Sequence, residues 1–234
     1  MNKSILNSAI AAAMAIGLAA CSSGGSDVAG IGGSGVTPSA VKSSGTITGF
    51  GSIFVNGVEF ETSSSTFSVD DNPGLESDLA TGMRVTVNGT VNSDGVTGTA
   101  TSVTFDDQVQ GPVVSVGPID ADGTGRQISV LGTIVALDST TTIFDISGTG
   151  GGTFDFDTIA ETNNVEVSGF ADSTGVLRAT RVELKEQTFV ADSSIVELKG
   201  TITGLTGTTF SLQGIAGVSI DASSAAIDDL PGGL

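Results

Sequence analysis

The sequence contains no histidine, tryptophan or tyrosine, and its only cysteine is Cys21. Without imidazole, Ser-His-Asp triads, Cys-His pairs and His-ligated zinc are excluded, and with them most general-base designs that work near pH 7. A single cysteine excludes an intramolecular disulfide. The lack of Trp and Tyr removes the usual aromatic platform for a sugar ring and counts against a glycosidase, which needs two carboxylates across a cleft. Basic residues are also scarce: 8 Lys and Arg stand against 26 Asp and Glu, for a formal net charge of −18. Arg84, Arg126, Arg178, Arg181, Lys185 and Lys199 are scattered rather than grouped. No basic track exists to displace counterions, so nucleic acid is excluded as a partner and anionic head groups are poor ones. Carboxylates, hydroxyls, Lys and Arg are what remain for chemistry.

The N-terminus is a different matter. Lys3 gives a positive start, and Ile5 to Leu18 form an apolar stretch too short to span a bilayer. Small residues follow, so residues 1–20 read as a secretory signal peptide. Its end, Leu18-Ala19-Ala20-Cys21, resembles the lipobox of bacterial lipoproteins. That resemblance implies that Cys21 is lipidated and becomes the first residue of the mature chain. Ser22, rather than Asp, follows the cysteine. By resemblance to enterobacterial lipoprotein sorting, this implies lipid anchoring in the outer membrane of the cell envelope, facing the periplasm or the surface. Residues 21–44 read as the lipidated cysteine and a flexible Gly/Ser tether. The tether contains formal matches to GxGxxG, Gly30 to Gly35, and SxxK, Ser39 to Lys42. No strand precedes the first and no helix follows it, and the second lacks its companion motifs, so neither carries chemistry.

After the tether, glycine dominates, with 34 in 234 residues, and Phe is the only aromatic. This is the composition of short strands joined by many turns, with small cores of Val, Ile, Leu and Phe. The fold class is therefore all-β. The chain also repeats. A first unit over 45–110 opens GTITGFGSIFVNGVEFE, where an Asn56-Gly57 turn puts Ile53, Val55, Val58, Phe60 and Thr62 on one face. Asn72-Pro73-Gly74 reads as the start of a loop, and 75–79 as one helical turn. Val85 and Val87 then alternate with polar residues towards a second hairpin at Asp94-Gly95. A second unit over 111–190 repeats this closing half: Val165 to Gly169 matches Val85 to Gly89, with Asn163-Asn164 in place of Gly-Met. In both, the core-type Ala and Val stand three apart, Ala100 and Val103, Ala179 and Val182. A shared break in alternation predicts a β-bulge at the same place in each unit, with Gly89 and Gly169 marking the bend. A third unit over 196–234 opens GTITG at Gly200 and reads as incomplete, with the chain as a fragment ending in mid-repeat. Because repeat units contact mainly their neighbours, residues after about Ser194 are expected to be dispensable for the first two units.

The stretches Phe50 to Gly57 (GFGSI-x-VNG without its first Gly) and Asp78 to Gly89 (DL-xx-GM-x-V-x-V-x-G) resemble a family of bacterial lipoproteins built from repeated small β domains and catalogued as a domain of unknown function. The resemblance covers nearly all of the chain after the tether. It implies tandem small OB-like β-barrel repeats, export, and no established activity or catalytic residues.

Two loops could hold a cation. Asp120 and Asp122 begin a stretch like an EF-hand loop, but Leu131 stands where the bidentate Glu is required, so a plain β-turn is expected. The glycine-rich run 148–153 ends in Asp155 and Asp157, which would point the same way on a strand; with Asp145 they could bind calcium weakly, although a solvated loop is the plainer expectation. The pairs Asp70-Asp71, Asp106-Asp107 and Asp228-Asp229 read as turn and edge residues that discourage edge-to-edge pairing. The resulting expectation is a non-enzymatic, lipid-anchored envelope module with no cofactor. Its partners are the membrane, through the anchor, and an envelope protein or a strand-adding chain. The alternatives are a calcium- or small-ligand-binding envelope module and, less favoured, a carboxylate-based hydrolase.

Overall fold

Among the described residues, short strands and tight turns account for all the regular structure except one 3-10 turn at Glu76–Asp78. This is a computed structural model that describes residues 38–147, 149 and 152–227, all within one compact body. The expected signal peptide over 1–20, Cys21, tether residues 22–37, Gly148, Gly150, Gly151 and the Asp228-Asp229 pair lie outside the described residues.

The first unit contains β1 (Ser39–Gly49), β2 (Ile53–Val55), β3 (Val58–Glu61), β4 (Thr66–Val69), β5 (Asn72–Gly74), β6 (Arg84–Val91) and β7 (Thr97–Phe105). Strand β1 pairs antiparallel with β2 and β6, β2 with β3, and β6 with β7. A parallel pairing of β3 with β7 closes these five strands into a ring. Because β1 starts at Ser39 and pairs with β6 from there, residues 39–44 are sheet rather than the tether expected over 21–44. Likewise Asn72-Pro73-Gly74 is a short edge strand rather than a loop start, reached by an Asp70-Asp71 turn in which both residues have positive φ.

The second unit repeats the plan with β8 (Val109–Val116), β9 (Gly125–Val130), β10 (Thr133–Asp138), β11 (Ile143–Asp145), β12 (Asn164–Ala171) and β13 (Leu177–Glu186). Its ring runs β8-β9-β10-β13-β12 and again closes through a parallel pair, β10 with β13. Beyond it come β14 (Glu197–Leu198), β15 (Ile202–Thr206), β16 (Thr209–Leu212) and β17 (Ile220–Asp221). The last three form a separate antiparallel sheet, whereas β14 adds to β8 of the second unit. Glu197 and Leu198, expected within the third unit, thus extend the second unit's sheet.

The turns follow the chemistry of their residues. Asn56 (φ +53) and Gly57 (φ +78) make the two-residue hairpin between β2 and β3, since both central positions of that turn need positive φ. Ile53, Val55 and Phe60 fall on the buried face, as their alternation requires, with Thr62 buried just beyond them. The corresponding turn of the second unit is Leu131-Gly132 (φ +47 and +83), although leucine disfavours that region. Its side chain lies over Gly111, as the Asn56 side chain lies over Gly45, so each turn fits a notch in the first strand that any Cβ would fill. Asn56 also donates from Nδ2 to the Ser44 carbonyl at 3.0 Å.

The shared bulge is present in both units. Asn88 faces Ser102 but Gly89 faces Ala100, leaving Thr101 extra in β7; Ser168 faces Arg181 but Gly169 faces Ala179, leaving Thr180 extra in β13. The bulge lies where the closing strand changes partners: β7 pairs with β3 over 97–99 and with β4 over 102–105, and β13 pairs with β10 over 177–178 and with β11 over 181–183. The bulged backbone crosses so close that a Cβ on Gly89 would stand 2.1 Å from the Thr99 carbonyl oxygen, and one on Gly169 2.2 Å from that of Arg178. The bend before the closing strands is equivalent too. Gly82 (φ +91) donates its N–H to Ile47, and Thr162 (φ +75) donates to Val113. Gly82-Met83 therefore corresponds to Thr162-Asn163, one residue earlier than the sequence comparison places it.

Apolar residues from both ring interiors form two cores, one around Ile47, Phe60, Val87 and Phe105, the other around Val109, Ile128, Val167 and Leu184. Phe154 and Phe156 enter the second core, and Phe154 meets Phe144 edge to face at 5.8 Å. Gly89→Ala and Gly169→Ala should each lower stability by about 2 kcal/mol or more, as overpacking against backbone cannot relax locally. Gly95→Ala, whose Cβ would meet open space, should cost only about 1 kcal/mol for its positive φ. Urea unfolding midpoints check the order; equal losses at all three positions would contradict the close approach.

Candidate functional site

The junction between the units gathers the most deeply buried charge. Asp70 stands in the β4–β5 turn, Asp107 in the linker from β7 to β8, and Glu197 and Lys199 in and just after β14. One oxygen of each of the three carboxylates lies within 4.8 Å of the others. Asp70 accepts the Asp107 backbone N–H at 3.2 Å. Lys199 Nζ donates to the Asp107 carbonyl at 2.8 Å and to its Oδ1 at 3.1 Å, and pairs with Glu197 Oε1 at 3.0 Å. Asp107 is only 1% exposed, and its Oδ2 is buried without a hydrogen-bond partner. Asp107 therefore sits in a buried cluster, where Asp106-Asp107 was expected to be turn and edge residues that discourage edge-to-edge pairing.

Burial sets the electrostatics. It pushes the Asp107 carboxyl up to about 7, outweighing the Lys199 contact, and nearby Glu197 and Glu166 add to the rise. Asp70 is raised, also mainly by burial, against the hydrogen bond from Asp107. Burial opposes the charge on Lys199, yet its hydrogen bonds to Glu197 and Asp107 outweigh that and hold the ammonium above its ordinary value. A second mixed cluster lies alongside: Lys185 Nζ reaches buried Glu166 at 3.0 Å and Glu183 at 3.2 Å. Burial dominates at Glu166 too, raising its carboxyl despite Lys185.

The units also touch through the second bulge. Thr180 Oγ1 donates to the Gly82 carbonyl at 2.7 Å, and Arg181 Nη1 to the Thr81 carbonyl at 3.1 Å. A Cβ at Gly82 would press on the Arg181 Cβ and Ile143 at 3.0 Å. The Arg181 guanidinium is mostly buried and pairs with the Asp145 carboxylate.

The residues singled out from sequence do not converge. Asp120 Oδ1 accepts the N–H groups of Thr124 and Gly125 at 3.1 and 2.9 Å, and Asp122 Oδ1 accepts Thr124 Oγ1 at 2.8 Å, so both close their own turn. Asp145 is engaged by Arg181 and by the Ser147 hydroxyl at 2.8 Å. Asp155 accepts the Thr158 N–H at 2.9 Å and its hydroxyl at 2.8 Å, while Asp157 is exposed. Residues 153–158 form turns rather than a strand, because Phe154 and Phe156 are drawn into the core; Asp155 and Asp157 therefore do not share a strand face. Among the described residues, these aspartates belong to no group of three close carboxylates. The sequence signal for the actual cluster was slight: two Asp-Asp pairs, and a lysine 92 positions from its partner. A cleft of about 440 Å³ is lined by Asp120, Arg126, Leu137 and Arg178 among others. Its Arg126 is committed to the Gly117 carbonyl at 2.9 Å and the Phe156 carbonyl at 2.8 Å.

These features define an all-β repeat protein with two closed five-stranded rings and a charged junction. The chain belongs to the family described as Domain of unknown function (DUF5666), which matches residues 43–104 and 116–183. Each matched stretch takes in most of one ring. No curated protein and no solved structure matches the chain.

The Asp107 carboxyl takes up a proton on folding between its ordinary value of 3.8 and about 7. Its contribution to stability is therefore fully present below pH about 4 and falls as pH rises through about 7. With Lys199, Glu197, Glu166 and Asp70 unchanged, the stability of the parent relative to Asp107→Asn should decline over that window. Urea unfolding at pH 4.5 and pH 8 reads the difference; a relative stability that rises with pH would contradict it.

Proposed function

We propose that this protein is a lipid-anchored cell-envelope module whose β repeats have a non-catalytic structural or interaction role. The single observation that carries the reading is where the buried charge goes. Asp107 with Lys199, and Arg181 with Thr81, join one unit to the next, and although Lys199 borders a cleft with Gln108 and Gln213, its ammonium is spent on Asp107 and Glu197. In the cleft beside Arg126, Asp120 closes its own turn, Arg126 holds backbone carbonyls and Arg178 pairs with Asp172.

We infer in addition that each complete unit is a small OB-like barrel. In each ring the strands succeed one another as first, second, third, fifth, fourth and back to first, with the third and fifth parallel. That path is the Greek-key barrel order of the OB fold. The usual OB-fold use, binding of single-stranded nucleic acid, conflicts with the charge of −18. An envelope protein or a strand-adding chain is the better-suited partner, and the membrane is engaged through the anchor.

Anchoring rests on the Leu18-Ala19-Ala20-Cys21 motif. An acylated cysteine with a thioether-linked diacylglycerol and an amide-linked chain exceeds the two signals required for stable membrane association. The mature protein should incorporate labelled palmitate and fractionate with the outer membrane. Cys21→Ala should abolish labelling and release the chain to the soluble fraction. A Cys21→Ala protein that is still processed and membrane-bound would refute the anchor.

A further inference from the structure

We propose that Asp70, Asp107 and Glu197 form a binding site for a hard divalent cation of the calcium type, with Lys199 as the internal cation that competes for it. The donors are all oxygen, which suits calcium, magnesium or manganese rather than zinc. Two oxygens bound to one calcium at about 2.4 Å can stand no more than about 4.8 Å apart. The three carboxylates already meet that limit, each with one oxygen within 4.8 Å of the others. The cluster thus has a calcium-compatible span without rearrangement of the backbone.

An acidic cluster alone would not suffice, since exposed carboxylates often gather without a ligand. Here the second observation is the orphaned oxygen. Asp107 Oδ2 is buried without a partner although Oδ1 and the backbone carbonyl of the same residue are both engaged by Lys199. A buried carboxylate oxygen left unpaired carries its full desolvation cost. A cation that took Oδ2 as its Asp107 ligand would remove that cost. With all three carboxylates ionised, as a bound cation would require, they leave two negative charges against the one ammonium, those of a divalent ion. The neighbouring Glu166, Glu183 and Lys185 contribute one more net negative charge. Access is open, because the Lys199 and Glu197 side chains are 38% and 31% exposed, and Lys199 can swing out on its flexible stem.

The three ligands come from the β4–β5 turn of the first unit, the linker, and β14. Cation binding would therefore fasten both units and the following segment at one point, whatever the partner of the module. This site is distinct from the Asp120 and Asp155 loops, whose carboxylates close their own turns.

The test is thermal unfolding of the full chain in detergent, with calcium chloride titrated against chelator at constant ionic strength. The parent should show a saturable rise of about 5 °C or more at roughly 100 times Kd. Lys199→Gln should melt lower in chelator yet gain more from calcium, and bind it more tightly by calorimetry, because its competitor is gone. Asp70→Asn should lose most of the rise, whereas Asp120→Asn should keep it. Absence of a calcium response in both the parent and Lys199→Gln would overturn the proposal. So would an undiminished response in Asp70→Asn.

Discussion

A ring of only five short strands closes because its last strand turns a corner. In each unit that strand must pair with one ring neighbour along its whole length while exchanging partners on its other side. One extra residue, Thr101 or Thr180, absorbs the change, and a glycine on the facing strand makes room for it. Bulges bend and twist a strand locally, which a flat ladder cannot do. The two hairpins, the two cores and the parallel closing pair all depend on that corner. It also sets the relation between units, because the second bulge presents Thr180 and Arg181 to the Thr81-Gly82 turn of the first.

The junction adds a charge problem to this geometry. Asp107 is nearly sealed from water, and Lys199 reaches it from the segment after β14. Removing Lys199 would leave the buried Asp107 without its ammonium partner, at a cost reduced by the solvent exposure of the Lys199 side chain. The segment that carries Lys199 therefore belongs energetically to the second unit. The segment after Ser194 is coupled to the second unit by strand addition of β14 to β8, and the charged cluster and the hydrogen bonds from the bulge couple the two units.

Local chemistry was legible in the sequence where a residue type answers to one backbone need. Asn56-Gly57 announced its turn, and the Ala-Val spacing with Gly89 and Gly169 announced the bulge. Leu131-Gly132 did not announce a hairpin, since leucine is a poor residue at positive φ and is held there by its fit over Gly111. The start of β1 was hidden because Ser39 to Ser44 are small and polar, like a tether, and become a strand only through pairing with β6. The charged cluster was hidden for a deeper reason. Asp70, Asp107 and Lys199 meet only after two rings have closed, so no local pattern distinguishes them from surface charges. The loop aspartates, by contrast, stood out in sequence for the same local hydrogen bonding that occupies them in the structure.

The most direct measurement of this coupling is the thermal and urea unfolding of a chain ending at Ser194, compared with the full chain under the same conditions. The truncation removes β14 and Lys199, and with them Leu198, which packs against the second core, while leaving every strand of both rings. Coupling through this segment should lower the melting temperature of the remaining units by about 5 °C or more, corresponding to a loss of about 2 kcal/mol or more. An unchanged melting temperature and urea midpoint would contradict it.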